Sequence, residues 1–199
     1  MLHRLTRVCT HCVSRRRGRL LFSIFNLILY AVAGLLVNVL LLRFWMQAVR
    51  VRPPMSVAEF TFQLTDWLVK PLRRVIPGVA GYDWASLIGA LLVTVVATLI
   101  GLQVWSGIAP DDVLVQSLLR LIQWAIYGLM FALVLEVIFS WVNPYAPLAP
   151  FVRTLNEPIL RPLRRIIPLV GNVDLSVFVA FILLQIALTL VARFLFPGA

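Results

Sequence analysis

Beyond residue 12 the chain has neither cysteine nor histidine; Cys9, Cys12, His3 and His11 all lie in a short N-terminal arm. No disulfide can therefore staple the body of the protein, and no histidine deeper in the chain can ligate haem. The arm reads Cys9-Thr10-His11-Cys12, which offers zinc-ligand types. All the donors sit on one short basic stretch rather than on separated turns for a metal to tie together, so no metal site is expected. A c-type haem attachment would need histidine directly after the second cysteine, where Val13 stands. Charge is scarce too, at 13% of residues against about 25% in soluble domains, while 61% are hydrophobic against about 45–50%. A soluble globular domain is excluded. The sequence also lacks G-x-S-x-G, P-loop and H-E-x-x-H motifs and any paired-carboxylate constellation, so neither catalytic residues nor a cofactor are expected.

Acidic residues number 8 against 18 basic ones, a formal charge of +10. A nucleic-acid-binding protein would carry such charge on a soluble scaffold. Here long apolar runs dominate, so anionic lipid is the expected counter-charge and nucleic acid is not an expected partner.

Four runs are long enough to cross the ~30 Å hydrocarbon core, which takes about 20 helical residues. They are Leu20 to Leu42, Trp84 to Ser106, Leu121 to Val142 and Leu175 to Phe196. Trp45, Trp84, Trp105 and Trp141 fall near the ends, where an aromatic belt belongs. The first run, 23 uncharged residues, is too long for the ~7–15-residue core of a cleaved signal peptide, and no small-residue cleavage site follows it before Arg43. Residues 1–19 form a basic arm and are expected to be disordered; residues 107–120 are expected to be a connection.

The most specific feature is an internal repeat. Lys70-Pro-Leu-Arg-Arg-Val-Ile-Pro77 recurs 91 residues later as Arg161-Pro-Leu-Arg-Arg-Ile-Ile-Pro168, and the 13 positions from Pro71/Pro162 to Asp83/Asp174 hold eight identities. At the same offset Pro53 meets Pro144 and Leu64 meets Leu155. The expected fold class is thus an all-α membrane protein of four transmembrane helices in two parallel repeats, residues 20–106 and 121–196. Each repeat reads as span, interfacial amphipathic helix with a Pro-Leu-Arg-Arg-x-Ile-Pro loop, and span. An even number of spans separates equivalent points, so both loops face one side; the inverted repeats of many transporters need an odd number.

Within the first loop, residues 56–70 have helical period, with Val57, Phe60, Leu64, Trp67 and Leu68 on one face and Glu59, Gln63, Asp66 and Lys70 on the other. Such a helix lies in the headgroup plane. The counterpart over 149–161 contains Pro158 and is expected to be shorter or bent. Asp66/Lys70 and Glu157/Arg161 are acid-then-base pairs at the favourable i,i+4 spacing. Pro71 and Pro77, or Pro162 and Pro168, are expected to end the helix on either side of the twin arginines. Two readings fit Arg73, Arg74, Arg164 and Arg165: binding of lipid phosphates or a membrane partner, or simple marking of the cytoplasmic side. Asp83 and Asp174 immediately precede spans and read as helix N-caps, with a salt bridge to the nearby arginines as a compatible alternative.

The side bearing both loops holds ten of the Arg and Lys residues and the opposite side eight, six of them in the arm. Without the arm the count is ten against two, which favours cytoplasmic loops. Glu136 is the single carboxylate within an apolar run. It fits an interhelical pair with Arg43, a snorkelling side chain, or a member of an ion pathway. Asn26, Asn38, Gln103, Gln123 and Gln185 are expected to bond between helices, and Ser86/Ala90, Ala97/Gly101 and Gly128/Ala132 to let helices approach closely.

Arg43-Phe-Trp-Met-Gln47, the doubled Pro-Leu-Arg-Arg-x-Ile-Pro, Asp83/Asp174 before the following spans, and Ser140-Trp-Val-Asn-Pro144 together resemble the YggT family of integral membrane proteins, over Leu20 to Phe196. The resemblance implies links to osmotic tolerance with potassium homeostasis, to cell division or nucleoid organisation, and, in plastid relatives, to maturation of haem-bearing cytochrome b-type proteins. It implies no catalytic residues. Family members begin their first span within a few residues of the start, so the arm is either translocated despite its six arginines, or marks an inverted protein, or precedes a translation start downstream of it. The reading is a non-enzymatic scaffold or assembly factor of the bacterial inner membrane, engaging anionic lipid and a membrane-protein partner or a second copy of itself. The alternative is a small ion-handling protein in osmotic stress and potassium homeostasis.

Overall fold

The computed structural model describes residues 2–75, 83–102, 110–143, 145–166 and 174–195; the side chains of residues 2–19, 75, 102, 110–112 and 195 are not among those described. Six helices are formed among them: α1 (Leu2–Val49), α2 (Met55–Val75), α3 (Trp84–Leu102), α4 (Pro110–Val142), α5 (Ala149–Ile166) and α6 (Leu175–Leu195). No strand occurs among the described residues. Four stretches are long and apolar enough to cross a membrane: Leu20–Val49, Trp84–Gly101, Val113–Val142 and Leu175–Phe194. At 1.5 Å per residue the two 30-residue stretches extend about 45 Å, well beyond the hydrocarbon core, so their ends reach headgroup depth.

The helices depart from expectation at three places. The arm expected to be disordered is helical from Leu2 and continues into the first span. The connection expected over 107–120 is helix from Pro110 onward; proline suits that first position because its missing amide would have had no partner. Both short helices run through prolines that were expected to stop them: α2 passes Pro71 and reaches Val75, and α5 passes Pro158 and Pro162 and reaches Ile166. All three prolines lie on exposed faces. There a carbonyl that loses its amide partner can tilt out to water or headgroups, so the break costs less than in a buried helix. Pro77, Pro168, Gln103 and Trp105 lie outside the described residues.

Helix α1 ends in a Schellman motif. Arg50 adopts φ 58°, its amide donates to Gln47 O at 3.1 Å, and the Val51 amide reaches back to Met46 O at 3.0 Å. Met46 is buried and Val51 packs on its cluster, the apolar contact that accompanies this motif.

Helix α1 packs most extensively on α3, α4 on α6, and α3 joins the two pairs. The α1–α3 seam is made of small residues: Ser86, Ala90, Thr94, Ala97 and Thr98 are all buried, against Ala33, Val37 and Leu40. Short side chains bring the backbones close, and the threonine hydroxyls stay satisfied by donating to their own helix, Thr94 to Ala90 O and Thr98 to Thr94 O, both at 2.8 Å. Gly101 sits where any Cβ would collide with the Tyr30 hydroxyl, and Gly128 where it would meet the Asn38 amide oxygen. Two of the polar side chains expected to bond between helices, Asn38 and Gln123, bond locally instead. Asn38 donates to Gly34 O and Gln123 approaches Tyr127, in each case one turn away on the same helix.

Helix α2 turns a stripe of Thr61, Thr65 and Val69 toward the protein, whereas Phe60 and Trp67 are exposed. At 100° per residue its apolar arc is thus divided, with Leu68 and Leu72 packed on the core and the aromatics turned away from it. Helix α5 buries Phe151, Val152, Leu155, Asn156 and Leu160.

Candidate functional site

The ion pairs among the described residues collect into two clusters, one in each half of the chain. In the first, Asp83 stands immediately before α3 and is almost fully buried. Its carboxylate accepts from Arg73 Nη2 at 2.7 Å, from Arg43 Nε at 3.1 Å and from the Ser86 hydroxyl at 2.7 Å. Arg43, at the far end of the first span and 4% exposed, uses Nη1 for Thr65 Oγ1 and Asp66 Oδ1, both at 2.8 Å. The face of Phe62 covers its guanidinium at 4.7 Å, a cation–π contact. Lys70 closes the cluster at 3.0 Å from Asp66. One buried arginine thus ties the end of α1 to the middle of α2 and the start of α3.

The second cluster repeats the arginine–aspartate clasp with different surroundings. Arg164 Nε and Nη2 reach Asp174 Oδ2 at 2.8 and 2.7 Å, and Nη2 also reaches Glu136 Oε1 at 3.0 Å. Asn156 donates to Glu136 Oε2 at 2.8 Å and to Ala132 O at 2.9 Å. Asp174 also accepts the Ser176 amide on Oδ1 at 3.0 Å, the geometry of a helix N-cap. At the other clasp the Asp83 carbonyl accepts the first α3 amides while its carboxylate serves the guanidiniums and Ser86.

Electrostatics follow from these contacts. Asp66 is held below the ordinary carboxylate range, chiefly by its hydrogen bond from Arg43. Burial pushes Asp83 and Asp174 upward, but the hydrogen bonds and charge of Arg73, with Ser86, and of Arg164, with Ser176, outweigh it and leave both lowered. Each clasp is therefore an ionised pair whose charges are spent on each other. What the arrangement does is hold chain segments in register.

Several expected partnerships resolve differently. Arg43 and Glu136 do not pair: Arg43 is taken by Asp66 and Asp83, and Glu136 by Arg164. The reason is azimuthal, since both residues lie at the same end of their spans yet face different short helices. Glu157 and Arg161 form no ion pair among the described residues, with Pro158 in the turn between them, whereas Asp66 and Lys70 do. Of the twin arginines, Arg73 and Arg164 are held by the aspartates, while Arg74 and Arg165 are exposed and make no ion pair among the described residues. Thr65 and Asn156 escaped sequence reading, although the 91-residue offset aligns them and each precedes an acidic residue, and Ser86, read only as a packing residue, also serves Asp83.

The comparisons with known proteins agree on one lineage. The CCB3/YggT family model matches residues 22–104 and again residues 115–195. The uncharacterized protein PA0392 of Pseudomonas aeruginosa is 36% identical over 80% of this chain and 83% of its own. An uncharacterized protein encoded in the proC 3′ region of Vibrio alginolyticus is 36% identical over 77% of this chain and 85% of its own. The uncharacterized protein YggT of Escherichia coli K12 is 30% identical over 80% and 84%. No solved structure matches. With a family match that covers both halves and both clasps' arginines and aspartates, the chain belongs to the CCB3/YggT family.

Proposed function

We propose that the protein is a non-enzymatic scaffold of the bacterial inner membrane, in which α2 and α5 lie at the membrane surface and present Arg74 and Arg165 to anionic headgroups and to a membrane-protein partner. One observation carries the reading. At the end of each short helix the adjacent arginines divide their labour, with the first ion-paired to an aspartate and the second exposed without an ion pair among the described residues. A pair of cations anchored so firmly at their base and left open at their tip suits capture of phosphates. Each contributes about 1 kcal/mol near an anionic leaflet. Phe60 and Trp67, both exposed on α2, suit insertion among acyl chains.

The test compares the wild-type protein with Arg74→Gln/Arg165→Gln, purified in mild detergent. The scaffold reading expects less anionic phospholipid retained and a membrane-protein partner lost, with thermal stability unchanged because neither arginine supports the fold. Retention of lipid and partner by the double variant overturns it. Ion flux from the purified protein in liposomes, persisting in the double variant, would establish the ion-handling alternative instead.

A further inference from the structure

The two halves share a clasp but not what surrounds it. Beside the second clasp lies a cavity of about 880 Å³ between α4, α5 and α6, lined by Glu136, Arg153, Arg164 and Asp174 at its polar part and by Leu133, Val137, Phe178 and Phe181 along its walls. That is the size range of a site for a small organic ligand. Phe178 and Ile138, which also line it, are exposed on the outer surface of spans, so the cavity opens sideways toward lipid.

The first half shows what is missing here. At the 91-residue offset Arg43 corresponds to Val134, Phe62 to Arg153 and Trp84 to Leu175. In the first half Arg43 brings a second guanidinium to the buried aspartate, Phe62 covers it and Trp84 packs on Phe44 at 6.4 Å. In the second half no described residue replaces that cation. Asp174 and Glu136 share the single guanidinium of Arg164, and Glu136 uses two of its roughly four acceptor positions. The unfilled space therefore faces two carboxylates with spare lone pairs. Arg153, standing where Phe62 would fill it, forms no ion pair among the described residues.

We propose that this cavity binds a zwitterionic aminophospholipid of the phosphatidylethanolamine type. Its primary ammonium takes the place that the Arg43 guanidinium holds in the first half and donates to Glu136 and Asp174. Its phosphate meets Arg153, and its acyl chains leave along the walls formed by Val137, Phe178 and Phe181. Charge balance selects this class. Two carboxylates and two guanidiniums line the cavity. An anionic lipid would place its phosphate without a cation for Glu136 and Asp174, and a quaternary ammonium has no N–H to donate to them. The site stands apart from Arg74 and Arg165 and holds whether or not those bind headgroups.

The test is native mass spectrometry of the detergent-purified protein titrated with phosphatidylethanolamine, phosphatidylcholine and phosphatidylglycerol of matched acyl chains. The expected result is one phosphatidylethanolamine per chain, with the other two lipids at least about tenfold weaker, a difference of about 1.4 kcal/mol. Val134→Arg/Arg153→Phe, which rebuilds the second half in the image of the first, is expected to keep its helicity and melting temperature and lose the bound lipid. Arg153→Glu alters only an exposed side chain and is expected to weaken retention by at least about tenfold even if the double variant misfolds. Equal retention of the three lipids, undiminished binding by Arg153→Glu, or recovery of a tightly bound polypeptide in the cavity in place of lipid would overturn the proposal.

Discussion

Arg73 and Asp83, ten residues apart in the chain, meet at 2.7 Å across the segment that links the short helix α2 to the span α3. Arg164 and Asp174 meet at the same distance and the same separation in the second half. In both places the guanidinium comes from the last turn of a short helix and the carboxylate from the residue just before a span. Each clasp thereby sets the angle at which a short helix leaves the bundle. It also determines which of two adjacent arginines remains available to the outside.

The carboxylate of the first clasp is the more deeply buried of the two, and removing it should show this. Asp83→Asn leaves Arg43, whose side chain is 5% exposed, without the more buried of its two carboxylate partners, and breaking a buried pair costs about 3–5 kcal/mol. Asp174 and Arg164 are each about a quarter exposed, so Asp174→Asn should cost less, about 1–3 kcal/mol. Thermal unfolding in one detergent checks the order: a larger loss for Asp174→Asn than for Asp83→Asn would contradict the assigned burial.

Acid stability follows from the direction of the carboxylate shifts. Asp66, Asp83 and Asp174 are all lowered in the folded protein. A lowered carboxylate stabilises the fold above its unfolded value, about 3.9, and that contribution disappears as pH falls through the folded value. Stability should be flat from pH 7 to about 5 and decline below about 4. Asp83→Asn should be less stable at neutral pH and show a shallower acid limb. Melting temperatures across this range read both effects.

Much of this architecture is legible from residue order alone, and the parts that are not have physical reasons. Apolar runs of span length disclose four crossings, because no other solvent tolerates them. The doubled Pro-Leu-Arg-Arg disclosed both clasp arginines, and Asp83 and Asp174 stood out as residues before spans. Depth in the bilayer is thus readable, but azimuth is not. Hydropathy places Arg43 and Glu136 at one level and leaves open which neighbour each faces; the structure turns Arg43 to Thr65 and Asp66, and Glu136 to Asn156. Proline was the other obstacle. Its local penalty argues for a helix end at Pro71, yet exposure of that face lets the helix continue and carries Arg73 within reach of Asp83.

The cap of α1 carries a residue that its backbone disfavours. Arg50 holds φ 58° at the position where glycine is usual, and a non-glycine residue pays about 1–2 kcal/mol in that region. Arg50→Gly should raise stability by roughly 1 kcal/mol, and Arg50→Val should lower it. Neither change touches the clasps, so lipid retention at the cavity should be unaffected. Chemical denaturation of the three proteins measures the differences.

The approach of α1 to α3 depends on the missing side chain at Gly101. A Cβ there collides with the Tyr30 hydroxyl, whereas the ring carbon behind it stands 3.0 Å away. Gly101→Ala should therefore destabilise by about 1–3 kcal/mol, the range for overpacking. The same substitution in a Tyr30→Phe background should cost clearly less, because the most crowded atom is gone. Equal costs in the two backgrounds would show that the seam relaxes elsewhere.

The partner of Glu136 can be identified energetically. A double-mutant cycle with Glu136→Gln and Arg164→Gln should give a coupling of about 0.5–3 kcal/mol, since the two side chains meet at 3.0 Å. The parallel cycle with Arg43→Gln should close within about 0.5 kcal/mol, since Arg43 is engaged by Asp66 and Asp83 instead. Reversed couplings would restore the pairing that span positions alone suggest. They would also remove the cation-deficient character of the second cluster, because Glu136 would then have Arg43 as its counter-charge. The vacancy beside Asp174 would no longer call for an ammonium from outside the chain, so this cycle tests the premise of the lipid site without any lipid present.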